Sequence, residues 1–419
     1  MPSSKEFIEM DLEYCAHNYH PIPVVISKAK GVWVYDPEGN KYLDCLSAYS
    51  SQNTGHCHPE IIKALKEQAD KVTLTSRAFH NDLMGPFLKK LCEIVGPHVN
   101  DSHNSGIMAI PMNTGTEAVE TGLKVARAWG YIKKKIPKGE AHIIACRGNF
   151  HGRSITIVGI STDISAVRYY GNFSPYTPGF NIIPYGDANE LENIILEIGS
   201  EKIAGFIFEP IQGEAGVKIP PDGFIRKARD ICTKYNVLMI ADEIQTGFGR
   251  TGALFACDHE DAKPDMFLLG KALGGGVYPV SAVVTNREII GPDVIKPGTH
   301  GSTFGGNPLA SAVAMKSLEI HIDDHLAERA KEFGAYFMEG LKKIAEKETI
   351  VPIKEVRGKG LLMAIEFTTN ARHIVEMLKD NGILAKDTHS TTIRFAPPLI
   401  ITRDEIDWAL KIIEKVLVK

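Results

Sequence analysis

Short, continuous runs of apolar residues recur through the middle of the chain from about residue 107, and helical patterns separate them. The runs lie in IMAIPMN, AHIIACRGNF, IAGFIFEPI, VLMIADEI, DMFLLGKAL and VSAVVTN. Apolar runs of this length that alternate with helices are typical of strands buried on both faces of a mainly parallel sheet. The pattern therefore predicts a large α/β domain built around such a sheet.

The N-terminal part shows a short helical pattern and then an alternating stretch, GVWVYDPEGNKYLDCLS, whose turn residues are 36–40. Alternation around a turn predicts a β-hairpin. Helical patterns follow at about residues 59–71 and 81–95. In the first of them, Pro59 is expected at the first helical position, directly after the turn GHCH.

The pattern changes again after about residue 307. A helical stretch to about residue 347 precedes the strand-like runs EVRGKGLLMAIEFT and TTIRFAPPLII, and Thr402 and Glu405 have the spacing of a helix capping box. Strands grouped with helices at one end of a chain predict a separate α+β domain. We expect an N-terminal segment (1–45) that packs with the small domain, a large domain (46–310) and a small C-terminal domain (311–419).

Composition and charge narrow the classes of function. The 419 residues are 44% hydrophobic and 23% charged, as in ordinary soluble globular proteins. The formal net charge of −4 contains no basic excess, which argues against nucleic acid or an anionic membrane as the main partner. No apolar run approaches the roughly 20 residues of a membrane span. Because the N-terminus has neither a signal nor a transit pattern, we expect a cytoplasmic protein.

The seven cysteines are scattered without a C-x-x-C pair, so reduced thiols are expected. The stretch His56-Cys57-His58 has the residue types of a metal site. However, adjacent side chains diverge and no second ligand pair is apparent, so a turn before a helix explains the stretch better. No metal ion is expected.

Polar residues and glycines follow the apolar runs, where the predicted strands end. In open parallel sheets, ligands bind beyond the carboxyl ends of the strands. The segments concerned are 113–117, 149–153, 209–214, 242–245 and Lys271. Five strand ends with charged residues and glycines are more than solvent exposure of the sheet edge explains. The sequence therefore predicts a ligand site at this edge.

Three of these segments supply the parts that pyridoxal phosphate needs. Lys271, in an apolar pocket, would lose part of its ammonium solvation and become a nucleophile toward an aldehyde. Asp242 could hold a pyridine nitrogen protonated, and the helix start at Gly115 and Thr116 offers an anion site for the phosphate. A threonine N-cap explains that helix start equally well, and one lysine alone is usually a surface lysine. The combination favours the cofactor.

The stretch GFGRTG, residues 247–252, matches the dinucleotide-binding pattern G-x-G-x-x-G, and Asp265 follows it. A dinucleotide site needs a full helix that starts within the glycines. Here only a short segment follows before Pro264, and several predicted strands precede the pattern. A NAD-dependent dehydrogenase is therefore the weaker alternative.

Almost from end to end, the chain resembles the class III aminotransferases of the fold-type I superfamily. The resemblance rests on PMNTGTEAVE, EPIQGEAGV, ADEIQTGFGRTG, LLGKALGGG, HGSTFGGNPLA and RFAPPLII. The stretches SAYSSQNTGHCHP, LTSRAFHND, NFHGR and IRFAPPL are similar to the branch of the family that acts on ornithine. The resemblance implies a fold-type I transferase that binds pyridoxal phosphate and forms a homodimer with the active site at the subunit interface.

The resemblance also implies how the cofactor is held. Lys271 would bond to its aldehyde carbon and later move a proton, and Asp242 would pair with its ring nitrogen. The other implied contacts are Gly115 and Thr116 to the phosphate, Phe150 stacked on the ring, Gln245 to the ring oxygen, and Ser302 and Thr303 to the phosphate of the neighbouring subunit. By its pattern alone, Phe150 would be a core aromatic residue.

Four residues would bind the substrates by the same resemblance. Tyr49 and Arg153 would hold the α-carboxylate of L-ornithine. Arg394 would bind the α-carboxylate of 2-oxoglutarate and Arg153 its γ-carboxylate, a task that suits bidentate arginine. Glu214 would neutralise Arg394 while ornithine is bound and release it for 2-oxoglutarate. A permanent structural salt bridge is the alternative explanation of that pair.

The implied reaction transfers the δ-amino group of L-ornithine to 2-oxoglutarate, gives glutamate-5-semialdehyde and glutamate, and links arginine breakdown with proline synthesis. Aminotransferases for N-acetylornithine, γ-aminobutyrate or lysine share Lys271, Asp242, Gln245 and the Glu214 and Arg394 positions. Tyr49 favours ornithine, because a hydroxyl there matters only for a free α-amino acid end. A catalytically silent relative is a third alternative, but it would not need to keep the lysine, the aspartate and both arginines.

Overall fold

The computed structural model describes residues 2–162 and 170–419. The strands of this part of the chain are β1 (Lys28–Lys30), β2 (Trp33–Tyr35), β3 (Lys41–Asp44), β4 (Ile107–Met112), β5 (His142–Cys146), β6 (Phe180–Ile183), β7 (Ile203–Phe208), β8 (Leu238–Asp242), β9 (Met266–Leu269), β10 (Ser281–Asn286), β11 (Ile353–Lys359), β12 (Leu362–Phe367), β13 (Ile383–Leu384), β14 (Lys386–Thr388) and β15 (Thr392–Phe395).

The right-handed helices of the same residues are α1 (Ser4–Tyr14), α2 (Pro59–Ala69), α3 (Met84–Val95), α4 (Gly115–Ile132), α5 (Ile155–Ile160), α6 (Ala188–Ile198), α7 (Phe224–Lys234), α8 (Arg287–Ile290), α9 (Pro308–Asp323), α10 (Leu326–Ala345), α11 (Arg372–Asp380) and α12 (Arg403–Leu417). A further helical turn, Ser47–Ser50, has a left-handed backbone. Short 3₁₀ turns lie at Gly96–His98, Gly171–Phe173, Ser200–Lys202, Ala256–Glu260 and Lys271–Gly274.

A seven-stranded sheet forms the centre of the fold, in the order β4-β10-β9-β8-β7-β5-β6. Strand β10 is antiparallel to both of its neighbours, whereas the other neighbouring strands are parallel. Every residue of β7, β8 and β9 is buried, which is why these strands are continuous apolar runs in the sequence. The predicted α/β fold with a mainly parallel sheet is confirmed.

Helices cover both faces of this sheet. Successive side chains of a strand point to opposite faces, and in β8 Leu238 and Ile240 join a core with α4, whereas Met239 and Ala241 join the core with α3, α6, α7 and α9. Each face therefore has its own apolar core. The carboxyl edge of the parallel strands remains for a ligand site.

The C-terminal strands form a second sheet, β11-β12-β15-β14, in which neighbours are antiparallel. A third sheet joins the N-terminal hairpin to this part of the chain through parallel pairing of β3 with β13. Val32 and Leu43 of the N-terminal segment share an apolar core with Phe337 of α10 and Ile406 of α12. The domain boundaries after residues 45 and 310 stay predictions.

Several local expectations are confirmed. Strands β2 and β3 form the hairpin, Pro59 begins α2, and Thr402 and Glu405 form a capping box on α12. The helical stretch predicted at 307–347 is two helices rather than one. They separate at His325, whose left-handed backbone (φ 51°) is incompatible with a continuous helix.

One strand was missed by the sequence patterns, and one glycine pattern proves not to be a dinucleotide site. The sequence did not predict β6, a four-residue strand at the sheet edge whose residues are mostly only half-buried. The GFGRTG stretch is followed by the short 3₁₀ turn Ala256–Glu260 and so lacks the helix that a dinucleotide site needs. Among the helices of the described residues, none is long and apolar enough to cross a membrane.

Gly334 lies inside α10, where the missing side chain lets the helix approach the backbone of Gly360. An added Cβ would overlap that backbone. We expect Gly334→Ala to lower the free energy of unfolding by about 1–3 kcal/mol, although alanine has the higher helix propensity. The control Gly85→Ala in α3 places a Cβ with no atom within 4 Å and should not lower it. Urea unfolding measures both variants, and a stabilised Gly334→Ala would contradict this packing.

Candidate active site

A cavity of about 300 Å³ lies at the carboxyl edge of the central sheet, within the size range of small-molecule sites. Most of the residues that the sequence assigned to a site line this cavity. They are Gly115, Thr116, Phe150, Arg153, Glu214, Asp242, Gln245 and Lys271. Segments far apart in the sequence meet here because each follows a different strand of the sheet.

Lys271 begins a 3₁₀ turn directly after β9, with a strained left-handed backbone (φ 45°). Gly270 precedes it, and a Cβ there would touch Ile244 at 3.4 Å. Desolvation in the pocket lowers the pKa of the Lys271 amine, although the carboxylates of Glu214 and Asp242 oppose the shift. Desolvation thus makes the neutral amine, which is the nucleophilic form, more accessible than it is at an exposed lysine.

Asp242 ends β8 and has a buried histidine as its partner. The Nδ1 atom of His151 lies 2.6 Å from Asp242 Oδ2, and His151 is 3% exposed. Burial alone would lower the pKa of His151, but the hydrogen bond and the charge of Asp242 raise it above its usual value. The pairing favours the protonated imidazole more than burial alone would, and it fixes the ring at the wall of the pocket. The sequence pointed to segment 149–153 but did not identify this histidine.

Glu209 is a second buried carboxyl at this edge, and it accepts a hydrogen bond from the backbone N–H of Phe150 (2.9 Å). Burial raises the pKa of Glu209 to about 8; His151 opposes this shift and Asp242 adds to it. Near neutral pH this carboxyl group is therefore largely protonated. Its position at a strand end was visible in the sequence, but its protonation state depends on burial that only the fold reveals.

The start of α4 provides an anion site. Thr114 is the N-cap: its Oγ1 accepts from the N–H of Glu117 (3.3 Å), and its own N–H donates to the Glu117 carboxylate (2.8 Å). The expected threonine N-cap is confirmed. Gly115 and Thr116 line the pocket in the first turn, where backbone N–H groups lack helical partners and the helix dipole favours an anion.

Arg394 on β15 forms an ion pair with Glu214, with 2.8 Å between Nη1 and Oε1. Desolvation would raise the pKa of Glu214, but Arg394, Lys271 and Gln245 together lower it to about 2. Arg394 is 1% exposed. In the part of the chain that the structure describes, its Nε and Nη2 atoms have no hydrogen-bond partner. A buried arginine with spare donors is prepared to bind a carboxylate.

Tyr49 lies beside this ion pair, although it does not line the main cavity. The guanidinium carbon of Arg394 is 5.0 Å from its ring centre, and its carbonyl accepts a hydrogen bond from Gln245 (3.5 Å). All four residues of the Ser47–Ser50 turn have positive φ, which costs about 1–2 kcal/mol per residue. The hydroxyl of Ser47 donates to the Ala396 carbonyl at 2.6 Å and helps to hold the turn. Strain of this kind is concentrated at functional sites.

Arg153 lines the cavity and lies against two aromatic rings. Its guanidinium carbon is 5.5 Å from the ring centre of Phe150 and 5.4 Å from that of Tyr19. Its Nη1 is 3.3 Å from the Tyr19 hydroxyl. Tyr19 was not predicted from the sequence, because no local pattern indicates that the N-terminal segment lies at this pocket.

Ser302 and Thr303 do not line the main cavity. They border a separate cavity with residues 74–77 and Gly301. The Ser302 hydroxyl accepts a hydrogen bond from the Asn113 side chain (2.8 Å), which holds this loop near the start of α4. Their expected role at the phosphate of a neighbouring subunit stays a prediction.

The residues of the cavity fit pyridoxal phosphate chemically. The pocket contains a desolvated lysine for the aldehyde, an aspartate for the ring nitrogen, and a helix N-terminus for the phosphate. Phe150 and Ile244 give it apolar walls.

Three comparisons agree with this chemistry. The model of the aminotransferase class-III family matches residues 14–417. The chain is 54% identical over 417 residues to an ornithine aminotransferase of Brevibacillus brevis, covering 100% of this chain and 99% of the relative. An ornithine aminotransferase of Bacillus subtilis is 53% identical, with 100% of this chain and 98% of the relative covered.

Solved structures show the same similarity. A crystal structure of the ornithine aminotransferase from Toxoplasma gondii matches with a TM-score of 0.93 and 45% identity over 99% of this chain and 95% of that one. An acetylornithine aminotransferase from Elizabethkingia anophelis matches with a TM-score of 0.87 and 46% identity over 99% of each chain.

The lowered pKa of Glu214 makes a prediction about stability in acid. The ion pair should contribute its full stabilisation above the ordinary glutamate pKa near 4.5 and lose it as the pH falls toward about 2. We therefore expect the gap in unfolding free energy between wild type and Glu214→Gln to be widest near neutral pH and to narrow in acid. Urea unfolding across this pH range measures the gap. The control Glu93→Gln, in an exposed helical pair with Lys89, should show almost no gap, and a pH-independent gap for Glu214→Gln would contradict the assignment.

Proposed function

The chain belongs to the class III aminotransferases, which work with pyridoxal phosphate, and on that basis we propose that it transfers the δ-amino group of L-ornithine to 2-oxoglutarate. The products are glutamate-5-semialdehyde and glutamate. The observation that carries the proposal is the buried Glu214–Arg394 ion pair beside Lys271. It gives one pocket two charge states, as two substrates with different numbers of carboxylates require.

Pyridoxal phosphate, when bound, supplies a ring that withdraws electrons from the carbon bearing the amino group. The Lys271 amine would hold its aldehyde and would move a proton to and from the carbon that bears the amino group. Asp242, held by His151, would accept a hydrogen bond from the ring nitrogen. Gly115 and Thr116 would bind the phosphate through the first turn of α4, and Phe150 and Gln245 would contact the ring.

Ornithine carries one carboxylate and two amines, so it needs one free cation in the pocket. Arg153 provides it, together with the Tyr49 hydroxyl. Because Glu214 neutralises Arg394 in this state, the α-carboxylate of ornithine cannot bind Arg394 and binds at Arg153 instead. The δ-amine is then the group that reaches Lys271.

2-Oxoglutarate carries two carboxylates and therefore needs two free cations. Arg153 binds the γ-carboxylate. The α-carboxylate displaces Glu214 from Arg394 and uses the guanidinium atoms that lack partners in the described chain. The exchange replaces one carboxylate by another, so the buried arginine is paired in both states.

The proposal includes a homodimer in which Ser302 and Thr303 of one subunit bind the phosphate in the site of the other. Their position supports it: both border a cavity outside the main pocket, and the side chain of Asn113, next to the N-cap of α4, holds Ser302. Exposed apolar residues nearby, Phe79 and Phe304, also need a covering surface.

A second candidate is an ω-aminotransferase for N-acetylornithine, γ-aminobutyrate or lysine. The similarity to the acetylornithine aminotransferase of Elizabethkingia anophelis favours N-acetylornithine among these. Tyr49 beside Arg394 favours a substrate with a free α-amino acid end, ornithine or lysine, over N-acetylornithine and γ-aminobutyrate.

The test is the visible absorbance of the purified protein supplied with pyridoxal phosphate. We expect a yellow band that L-ornithine alone bleaches and 2-oxoglutarate restores, because one amino group leaves and returns in separate steps. Lys271→Ala, which lacks the attaching amine, should not cycle. N-acetylornithine and γ-aminobutyrate, measured in parallel, should bleach the band more slowly. A band that only one of these bleaches would establish the second candidate, and the absence of any band would contradict the cofactor site.

A further inference from the structure

Two arginines lie on one row of the C-terminal sheet. Arg357 of β11 is directly opposite Ala364 of β12, and Ala364 is directly opposite Arg394 of β15. Residues opposite each other in antiparallel strands project from the same face of the sheet. Arg357 and Arg394 therefore project side by side, with only the small Ala364 between them.

This face carries the loop that follows β7, which we call the Glu214 loop (residues 211–218). Ile211 and Val217, near the ends of the loop, pack against Leu362, Ala364 and Ala396 of the C-terminal part. The two ends of the loop also pair with each other, through hydrogen bonds in both directions between Gln212 and Lys218 (3.0 Å). The loop thus lies across the two arginines.

The two arginines hold different parts of the loop. Arg394 contacts the side chain of Glu214, whereas Arg357 contacts backbone. The Nη2 of Arg357 donates to the Gly216 carbonyl at 2.6 Å, and its Nε lies 3.0 Å from that carbonyl and 3.1 Å from the Val217 carbonyl. Its Nη1 is 2.6 Å from the carboxylate of Glu366. Arg357 is 8% exposed, so these bonds are shielded from water.

A further bond fixes the backbone of Glu214 itself, because the Thr388 hydroxyl donates to its carbonyl at 2.6 Å. The backbone is thus held at Glu214 by Thr388 and two residues later by Arg357. The carboxylate remains the movable part. Its distance from Arg394 is then set by side-chain rotation about a fixed backbone.

We propose that Arg357 is a positioning residue that sets which amino group of the substrate is transferred. By holding the carbonyls of Gly216 and Val217, it keeps Glu214 where its carboxylate covers Arg394 while ornithine is bound. This inference rests on the proposed function and adds a residue that touches neither substrate nor cofactor. Without this hold the part of the loop after Glu214 loosens, the Glu214 carboxylate covers Arg394 less completely, and the ornithine α-carboxylate competes for that arginine. The α-amine is then the group presented to Lys271.

The experiment measures the source of the transferred nitrogen. Holoenzymes receive 2-oxoglutarate and L-ornithine that carries an isotope label on either the α- or the δ-nitrogen, and mass spectrometry follows the label into glutamate. Wild type should take almost all nitrogen from the δ position. Arg357→Met should raise the α-derived fraction by about tenfold or more, the equivalent of a 1.4 kcal/mol change in preference. Its KM for 2-oxoglutarate should not rise, because that substrate needs Arg394 uncovered.

Two other variants keep the test decisive if Arg357→Met does not fold. Glu366→Gln keeps the size of the side chain but removes the charge that pairs with Arg357. Arg357→Lys keeps the positive charge but makes fewer hydrogen bonds to the loop. Both variants should raise the α-derived fraction to a smaller extent than Arg357→Met. The matched control is Lys354→Met. Lys354 also binds Glu366 (2.7 Å) but is largely exposed and does not contact the loop, so its variant should keep the wild-type fraction.

A merely structural role would slow transfer or lower stability without changing the nitrogen source. If the folded Arg357 and Glu366 variants all keep the wild-type α-derived fraction, the inference is wrong and the proposed function stands. If wild type itself transfers neither nitrogen of ornithine, the proposed function fails and the inference fails with it.

Discussion

The ion pair between Glu214 and Arg394 is the interaction on which the rest of the site depends. It connects the loop after β7 in the central sheet to β15 in the C-terminal sheet, and Gln245 donates a hydrogen bond to the same carboxylate (3.2 Å). A buried arginine without a partner is costly. Whatever displaces Glu214 must therefore bring a carboxylate of its own. Under the proposed function, this exchange would give a single pocket a second state that accepts a dicarboxylate.

The other titratable groups of the site lie in different surroundings, and these shift their pKa values in different directions. Desolvation lowers the pKa of Lys271 and raises that of Glu209 to about 8, so burial shifts both groups toward their uncharged forms. Asp242 has a histidine partner at 2.6 Å instead. Groups at one edge of the sheet thus lie in different electrostatic surroundings, which is how a single pocket can assign them different tasks.

Much of the fold could be predicted because local sequence patterns determine it. Buried strands, the hairpin, and the caps at Thr114 and Thr402 each follow from a few neighbouring residues. The short edge strand β6 and the break at His325 could not be predicted, because tertiary contacts decide them. The site could be located from the residues that follow each strand. The role of His151 could not, because it depends on which residue contacts Asp242 in the folded sheet. Tyr19 lines the pocket although it is far from the other site residues in the sequence. Arg357 lies beside Arg394 because of the register in which their strands pair. Spacing along a chain does not encode such contacts, and the roles of the individual site residues came from family resemblance.

The Glu214–Arg394 distance should be measured in two crystal structures of the holoenzyme, one with an ornithine analogue and one with 2-oxoglutarate. With the analogue, we expect a closed ion pair near the 2.8 Å of the present structure. With 2-oxoglutarate, we expect the Glu214 carboxylate to have rotated more than about 4 Å from Arg394, beyond ion-pair distance, and the substrate carboxylate to occupy its place. An ion pair that stays closed with 2-oxoglutarate bound would be a permanent structural salt bridge, and the proposed exchange of carboxylates would be wrong.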